Sequence, residues 1–209
     1  MNGKTVMACI DAAHASLREH ADEIASLDQA IGDGDHIINL LRGMDALVAM
    51  RAQLEAEAFA PALKLAAAKV LSTVGGSSGP LFFSMLTGIA KTSTDDAGVA
   101  EFARAFAAGV DAVGQRGKTG TGSKTMMDVL MPVAEHFTAM ADARASKHDV
   151  LTALPRIAEE NMLATRDMLA TKGRASFLGE RSRGHVDPGA RSSQLMIGAV
   201  CARIAQDDA

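Results

Sequence analysis

The chain has 209 residues, enough to bury one continuous core within the size of a single domain, and sets 21 Lys and Arg against 25 Asp and Glu for a formal net charge of -4. That balance gives no general attraction to nucleic acid or to anionic membranes, and with no Trp, no Tyr and only 7 Phe the chain lacks platforms for stacking bases. Cys9 and Cys201 lack metal-ligand spacing, Asp11, His14 and Arg18 interrupt the N-terminal apolar stretch, and no apolar run could span a bilayer, so a soluble cytoplasmic protein with free thiols is expected.

Alanine is abundant and β-branched residues are scattered, which favours helix over strand along almost the whole chain, with Gly-rich segments as punctuation. Taken from break to break, helices are expected over residues 4–25, 39–58, 61–74, 79–91, 98–116, 124–141, 149–171 and 192–206, eight in all. In the fifth, Val99, Phe102, Phe106, Val110 and Val113 recur at three- and four-residue steps and draw one apolar stripe toward a core. Pro61 suits a first helical position and Ser192 a cap, whereas Pro132 and Pro155 fall inside their helices and imply either a kink or a displaced boundary.

Short connections make consecutive helices antiparallel neighbours, so the fold class is all-α, a closed barrel of eight up-and-down helices in one domain over residues 1–209. If the helices alternate in direction, the loops after the first, third, fifth and seventh emerge at the same end. Those loops, residues 27–39, 75–80, 117–124 and 173–191, hold the chain's concentrations of Gly, Asp and Ser.

The first carries Asp28, Asp33 and Asp35 within eight residues, with Gly32 and Gly34 freeing the backbone between them. Three ionised carboxylates at short range repel unless a cation sits among them, and all-oxygen ligands favour a hard ion such as Mg²⁺; a solvated acidic turn is the plainer alternative. The spacing does not fit an EF-hand. His36 suits a ligand contact or a loop hydrogen bond equally. The second, Gly75-Gly-Ser-Ser-Gly79, runs into a helix whose free N–H groups and dipole could receive a phosphate, aided by Ser77 or Ser78, or it is a flexible cap. The third, Gly117-Lys-Thr-Gly-Thr-Gly-Ser-Lys-Thr125, has one residue too many between Gly122 and Lys124 for a P-loop and no strand before it. It reads as a Gly-rich turn near a nucleotide, with Lys118 or Lys124 screening charge, or as a solvated basic loop. The fourth carries four arginines and ends in the ordered turn chemistry of Asp187-Pro-Gly189, and arginine forks suit phosphate oxygens.

Five segments in order resemble one family end to end: Leu27-Asp-x-x-Ile-Gly-Asp-Gly-Asp-His36, Val74-Gly-Gly-Ser-Ser-Gly-Pro-Leu-Phe82, Arg116-Gly-Lys118, Lys124-Thr-Met126, and Gly173-Arg-Ala-Ser-Phe-Leu-Gly-Glu-Arg-Ser182 followed by Gly184-His-x-Asp-Pro-Gly189. The chain is similar to the ADP-binding L subunits of bacterial dihydroxyacetone kinases. The resemblance implies a barrel of eight antiparallel helices with ADP at one end, its phosphates bridged to the protein by two magnesium ions. It implies that Asp28, Asp33 and Asp35 ligate those ions and that His36, Asn39, Ser77, Ser78, Gly117, Met126, Arg174, Asp187, Pro188 and Gly189 contact the nucleotide. It also implies two partners: a K subunit that binds the keto-sugar through its own histidine, and a phosphocarrier protein of the sugar phosphotransferase system that recharges bound ADP. Asp35-His36 and Gly179-Glu-Arg-Ser182 resemble this stand-alone type more than the fused ATP-dependent one, while Ile37 and Ser123 depart from the Gly and Asp usual there. An ATP-dependent kinase subunit for a tetrulose and a non-catalytic nucleotide-sensing module are the alternative readings.

Overall fold

The computed structural model describes residues 1–94 and 98–206. They form ten α-helices: α1 (Gly3–Glu19), α2 (Ala21–Ile31), α3 (His36–Val48), α4 (Arg51–Glu55), α5 (Phe59–Thr73), α6 (Ser78–Thr92), α7 (Val99–Gly117), α8 (Met127–Asp142), α9 (Lys147–Ala164) and α10 (Pro188–Gln206). Two 3₁₀ segments, Thr165–Asp167 and Arg174–Ser182, lie between α9 and α10, and no strand occurs among the described residues. The all-α class is therefore as expected. The helical segments number ten rather than eight, because two of the expected long helices are broken, one at His20 and the other at residues 49–50.

The first break is closed locally and the second is imposed by packing. His20 sits at φ -105°, ψ 18°, and its N–H and Nδ1 both meet the Ser16 carbonyl, which closes α1 while α2 leaves in a new direction. At Gly3 an added Cβ would lie 1.9 Å from the Leu54 carbonyl oxygen, so α4 is pressed against the start of α1 and the chain must turn before and after it. Pro132 and Pro155 both lie inside helices, α8 and α9. Pro61 occupies the third position of α5, within the first turn, where no N–H is required of it.

Packing runs from α1 to α3, then α5, α6, α7, α8, α9 and α10, and α10 returns to α1, so the circuit of long helices closes on itself. The α7 stripe faces the interior as its periodicity demands. Val110 and Val113 are buried, and Phe102 and Phe106 join Phe59 and Phe137 in a chain of edge-on and tilted rings 6.1–6.3 Å apart. Helices α6 and α7 approach closely where glycines face each other, since a Cβ on Gly88 would lie 2.8 Å from the Cα of Gly109. No helix among the described residues is long and apolar enough to cross a membrane.

Candidate functional site

The helix boundaries place the acidic residues more rigidly than a loop would. Helix α2 continues to Ile31, so Asp28 stands on its last turn rather than in a loop, and only residues 32–35 are free of helix before α3 begins at His36. The buried Asp28 carboxylate accepts from the His36 N–H at 3.0 Å, which ties the end of α2 to the start of α3. Position 32 must be glycine, because a Cβ there would fall 2.0 Å from Asp28 Oδ1. Asp33 and Asp35 are exposed, and each of the three aspartates offers an oxygen within 4.8 Å of the others. Arg174 is the one cation paired with them among the described residues, its Nε 3.0 Å from Asp33 Oδ2. Three carboxylates so gathered, two of them open to solvent, fit a hard divalent cation with room left for ligands from another molecule.

Around this cluster lies a cleft of about 170 Å³ lined by residues from all four of the Gly-, Asp- and Ser-rich segments. Asp28, Asp33, Asp35, His36 and Asn39 form one side; Gly75, Gly76, Ser77 and Ser78 a second; Lys124, Thr125 and Met126 a third; and Lys172, Gly173, Arg174, Asp187, Pro188 and Gly189 close the fourth. The expected convergence of four loops at one end is thus observed. Gly117 is the exception, since it ends α7 outside the cleft lining, where a Cβ would touch Thr119 and Leu81. Lys118 likewise caps α7 in the left-handed region, φ 48°, and does not line the cleft.

Each wall has its own local cause. Asn39 is buried on α3, and Gly75 fits against it because a Cβ there would lie 2.6 Å from Asn39 Oδ1, an oxygen that also accepts from Arg42 at 3.0 Å. Ser77 caps α6 without a side-chain hydrogen bond to its first turn, which leaves those N–H groups and the helix dipole directed at the cleft. His36 shares a 2.9 Å hydrogen bond with Ser192 on α10, and burial pushes its imidazole below the usual pKa despite Asp28, Asp35 and Asp33 nearby. At the start of α10, Asp187 accepts from the Ala190 N–H at 2.7 Å in the manner of an N-cap, and burial raises its carboxyl to about 7.

Lys124 corrects an expectation. Its side chain is 1 % exposed, and the ammonium donates to three backbone carbonyls: Thr165 at 2.6 Å, Arg166 at 3.3 Å and His185 at 2.5 Å. Three donors meet three acceptors, so none is left to screen a phosphate. Burial lowers its pKa, and Asp187, Asp167 and Asp128 act in the opposite sense. The lysine is a tie between the third and fourth walls, reinforced where the Asp187 N–H donates to Thr165 Oγ1 at 3.1 Å. A second supporting residue, which none of the sequence motifs singles out, is Asp128. Its buried carboxylate accepts from the N–H groups of Gly122 and of Thr125, the latter at 2.7 Å, and so fixes the turn before α8. The signal that could have found it is Thr125-x-x-Asp128, the spacing of a capping box.

A DAK2 domain family model matches residues 30–202. The chain is 38% identical over 185 residues to a Listeria innocua protein named PEP-dependent dihydroxyacetone kinase 1, ADP-binding subunit DhaL, covering 88% of each chain. It is 38% identical over 179 residues to the Escherichia coli PEP-dependent dihydroxyacetone kinase subunit of the same name, covering 85% of each. A Mycolicibacterium smegmatis L-erythrulose 1-kinase is 31% identical over 94% of this chain but only 35% of its own length. Among solved structures, the dihydroxyacetone kinase from C. freundii in complex with AMP-PNP and Mg²⁺ shares the fold at a TM-score of 0.73 with 20% identity; the match covers 94% of this chain and 33% of that one.

Proposed function

The chain belongs to the DAK2 domain family, and from that premise we propose that it is the ADP-binding subunit of a dihydroxyacetone kinase. Its task is to hold the nucleotide while the keto-sugar waits on a separate K subunit, with ADP recharged in place by a phosphocarrier protein of the phosphotransferase system. The observation that carries this reading is the gathering of the Asp28, Asp33 and Asp35 oxygens within 4.8 Å at the edge of a cleft whose facing wall is the uncapped start of α6. The higher identity to the PEP-dependent ADP-binding subunits, 38%, than to the L-erythrulose 1-kinase, 31%, supports the carrier-recharged type; the chain spans about a third of the latter's length.

In this reading the three aspartates hold two magnesium ions, which when bound neutralise phosphate charge that otherwise opposes transfer. Ser77, Ser78 and the first N–H groups of α6 receive phosphate oxygens. Asn39 and His36 fix the nucleotide from α3, Met126 and Pro188 supply apolar contact from opposite walls, and Asp187 and Gly189 hold the shape of the last one. Gly117 contributes by ending α7 rather than by contact. Arg174 exchanges its exposed partner Asp33 for phosphate, at little cost because a solvent-exposed ion pair is worth under about 1 kcal/mol. This chain supplies positioning and charge neutralisation, on which phosphoryl transfer chiefly depends, and no nucleophile or base.

Native mass spectrometry of the purified protein tests this directly, with ADP or ATP and magnesium expected in stoichiometric amount. Asp33→Asn should abolish the rise in melting temperature on adding magnesium and ADP while leaving the nucleotide-free melt within about 2 °C of wild type, since loss of the exposed pair with Arg174 is offset by relief of repulsion from Asp28 and Asp35. An unchanged response to magnesium-ADP in that variant would remove Asp33 from the metal site.

A further inference from the structure

Phosphoryl transfer needs the acceptor in contact with the terminal phosphate, so whatever carries the sugar must seat on the mouth of the cleft. The mouth has an unusual surface. Five large apolar side chains are exposed among the described residues, and the two most exposed, Phe177 at 85 % and Ile38 at 58 %, both stand beside the cleft. Ile38 lies in the first turn of α3 between His36 and Asn39, which line the cleft, while Ile37 and Leu40 beside it are buried. Phe177 lies in the Arg174–Ser182 segment, three residues from Arg174. That segment is anchored, since its Ala175 and Leu178 pack on Ile31 and Ala170, yet it turns its one aromatic ring outward. The 3.0 Å pair of Arg174 with Asp33 joins the two rims, so both apolar groups edge the same opening.

The charge around them is specific too. From residue 172 to 183 the chain exposes Lys172, Arg174, Arg181 and Arg183 against Glu180 alone, although the whole chain is acidic at -4. Arg174 is paired with Asp33 and Arg183 with Glu180, which leaves Lys172 and Arg181 facing solvent. Exposed aromatic groups ringed by cations are the form that binding hot spots take.

We propose that Phe177 and Ile38, flanked by Lys172 and Arg181, are the docking surface for the sugar-carrying subunit, whose matching face is an apolar pocket with an acidic rim. This rests on the kinase reading above. The test is a single turnover with magnesium-ATP-loaded chain, following transfer to dihydroxyacetone as the concentration of the sugar-binding subunit is raised, with nucleotide retention measured alongside by native mass spectrometry. Phe177→Asp should raise the half-saturating subunit concentration at least about tenfold and Ile38→Asp several-fold, with nucleotide retention and the rate at saturation within about twofold of wild type. Arg181→Glu, outside the cleft lining, should also raise it and flatten its dependence on salt. Unchanged half-saturation in Phe177→Asp overturns the docking surface. So does loss of bound nucleotide in Phe177→Ala, which would make the ring a cover for the nucleotide. A wild-type chain that retains nucleotide but transfers nothing overturns the kinase reading, and the docking surface with it.

Discussion

Replacing Lys124 with Met removes an ammonium while keeping most of the apolar length of the side chain. Three carbonyls lose a donor. Those of Thr165 and Arg166 keep one other each, the Met168 N–H at 3.2 Å and the Gly184 N–H at 2.8 Å, and that of His185 is partly buried and can recover water, so each lost bond costs about 0.5–1.5 kcal/mol. Against this stands the relief of no longer burying a charge, which burial already disfavours. The net expectation is a loss of about 1.5–4 kcal/mol, and at roughly 2–4 °C per kcal/mol for a chain of this size the melting temperature should fall by about 8 °C. Differential scanning calorimetry of nucleotide-free protein measures it. Since Lys124 ties the Met126 wall to the Asp187 wall, ADP affinity should fall with stability, and Lys124→Arg should recover part of both. A melting temperature within about 2 °C of wild type in Lys124→Met would refute the assignment of this lysine as a structural tie.

Asp187 has an ordinary pKa of 3.8 when unfolded and about 7 in the fold, so between those values the native state binds the extra proton and stability falls as pH rises from about 4 to about 7. Over that window nucleotide-free protein should lose a few kcal/mol, and Asp187→Asn, which can still accept from Ala190, should flatten the slope in pH-dependent melts; parallel slopes would contradict it. Gly32→Ala forces a methyl group to within 2.0 Å of Asp28 Oδ1, so it should cost about 2–4 kcal/mol and weaken magnesium-ADP binding; both can be followed by thermal shift. Ser193 buries a hydroxyl that meets no hydrogen-bond partner among the described residues, and Ser193→Ala should be neutral or raise stability by up to about 1 kcal/mol in urea unfolding.

How far residues alone reveal such a fold depends on where each element's cause lies. The α7 stripe is legible because a helix must bury Val110 and Val113 on the same side as Phe106, and the convergence of four loops follows from alternating helix directions alone. The break at residues 49–50 is not legible, since Ala49 and Met50 are good helix formers and the turn is imposed by α4 packing under Gly3. Asp28 reads as a loop residue from its acidic neighbours, although Gly32, a helix-stopping glycine, stands just beyond Ile31. Lys124 is hidden for a different reason: its acceptors are backbone carbonyls 41 to 61 residues downstream, and a carbonyl carries no side-chain signature.

The return of α10 to α1 has a consequence for the order in which the molecule comes into being. On a ribosome, α1 through α9 emerge first and form an open arc, and the seam can be sealed only when the last helix arrives. The hydrogen bond from His36 to Ser192 crosses 156 residues of sequence, and the Arg191 pair with Glu23 crosses 168. Asp187, Pro188 and Gly189 are delivered by the same late segment. Nucleotide can therefore meet a complete pocket only after α10 has emerged, and its arrival would act as a latch on the seam, favouring the closed ring over the arc by mass action.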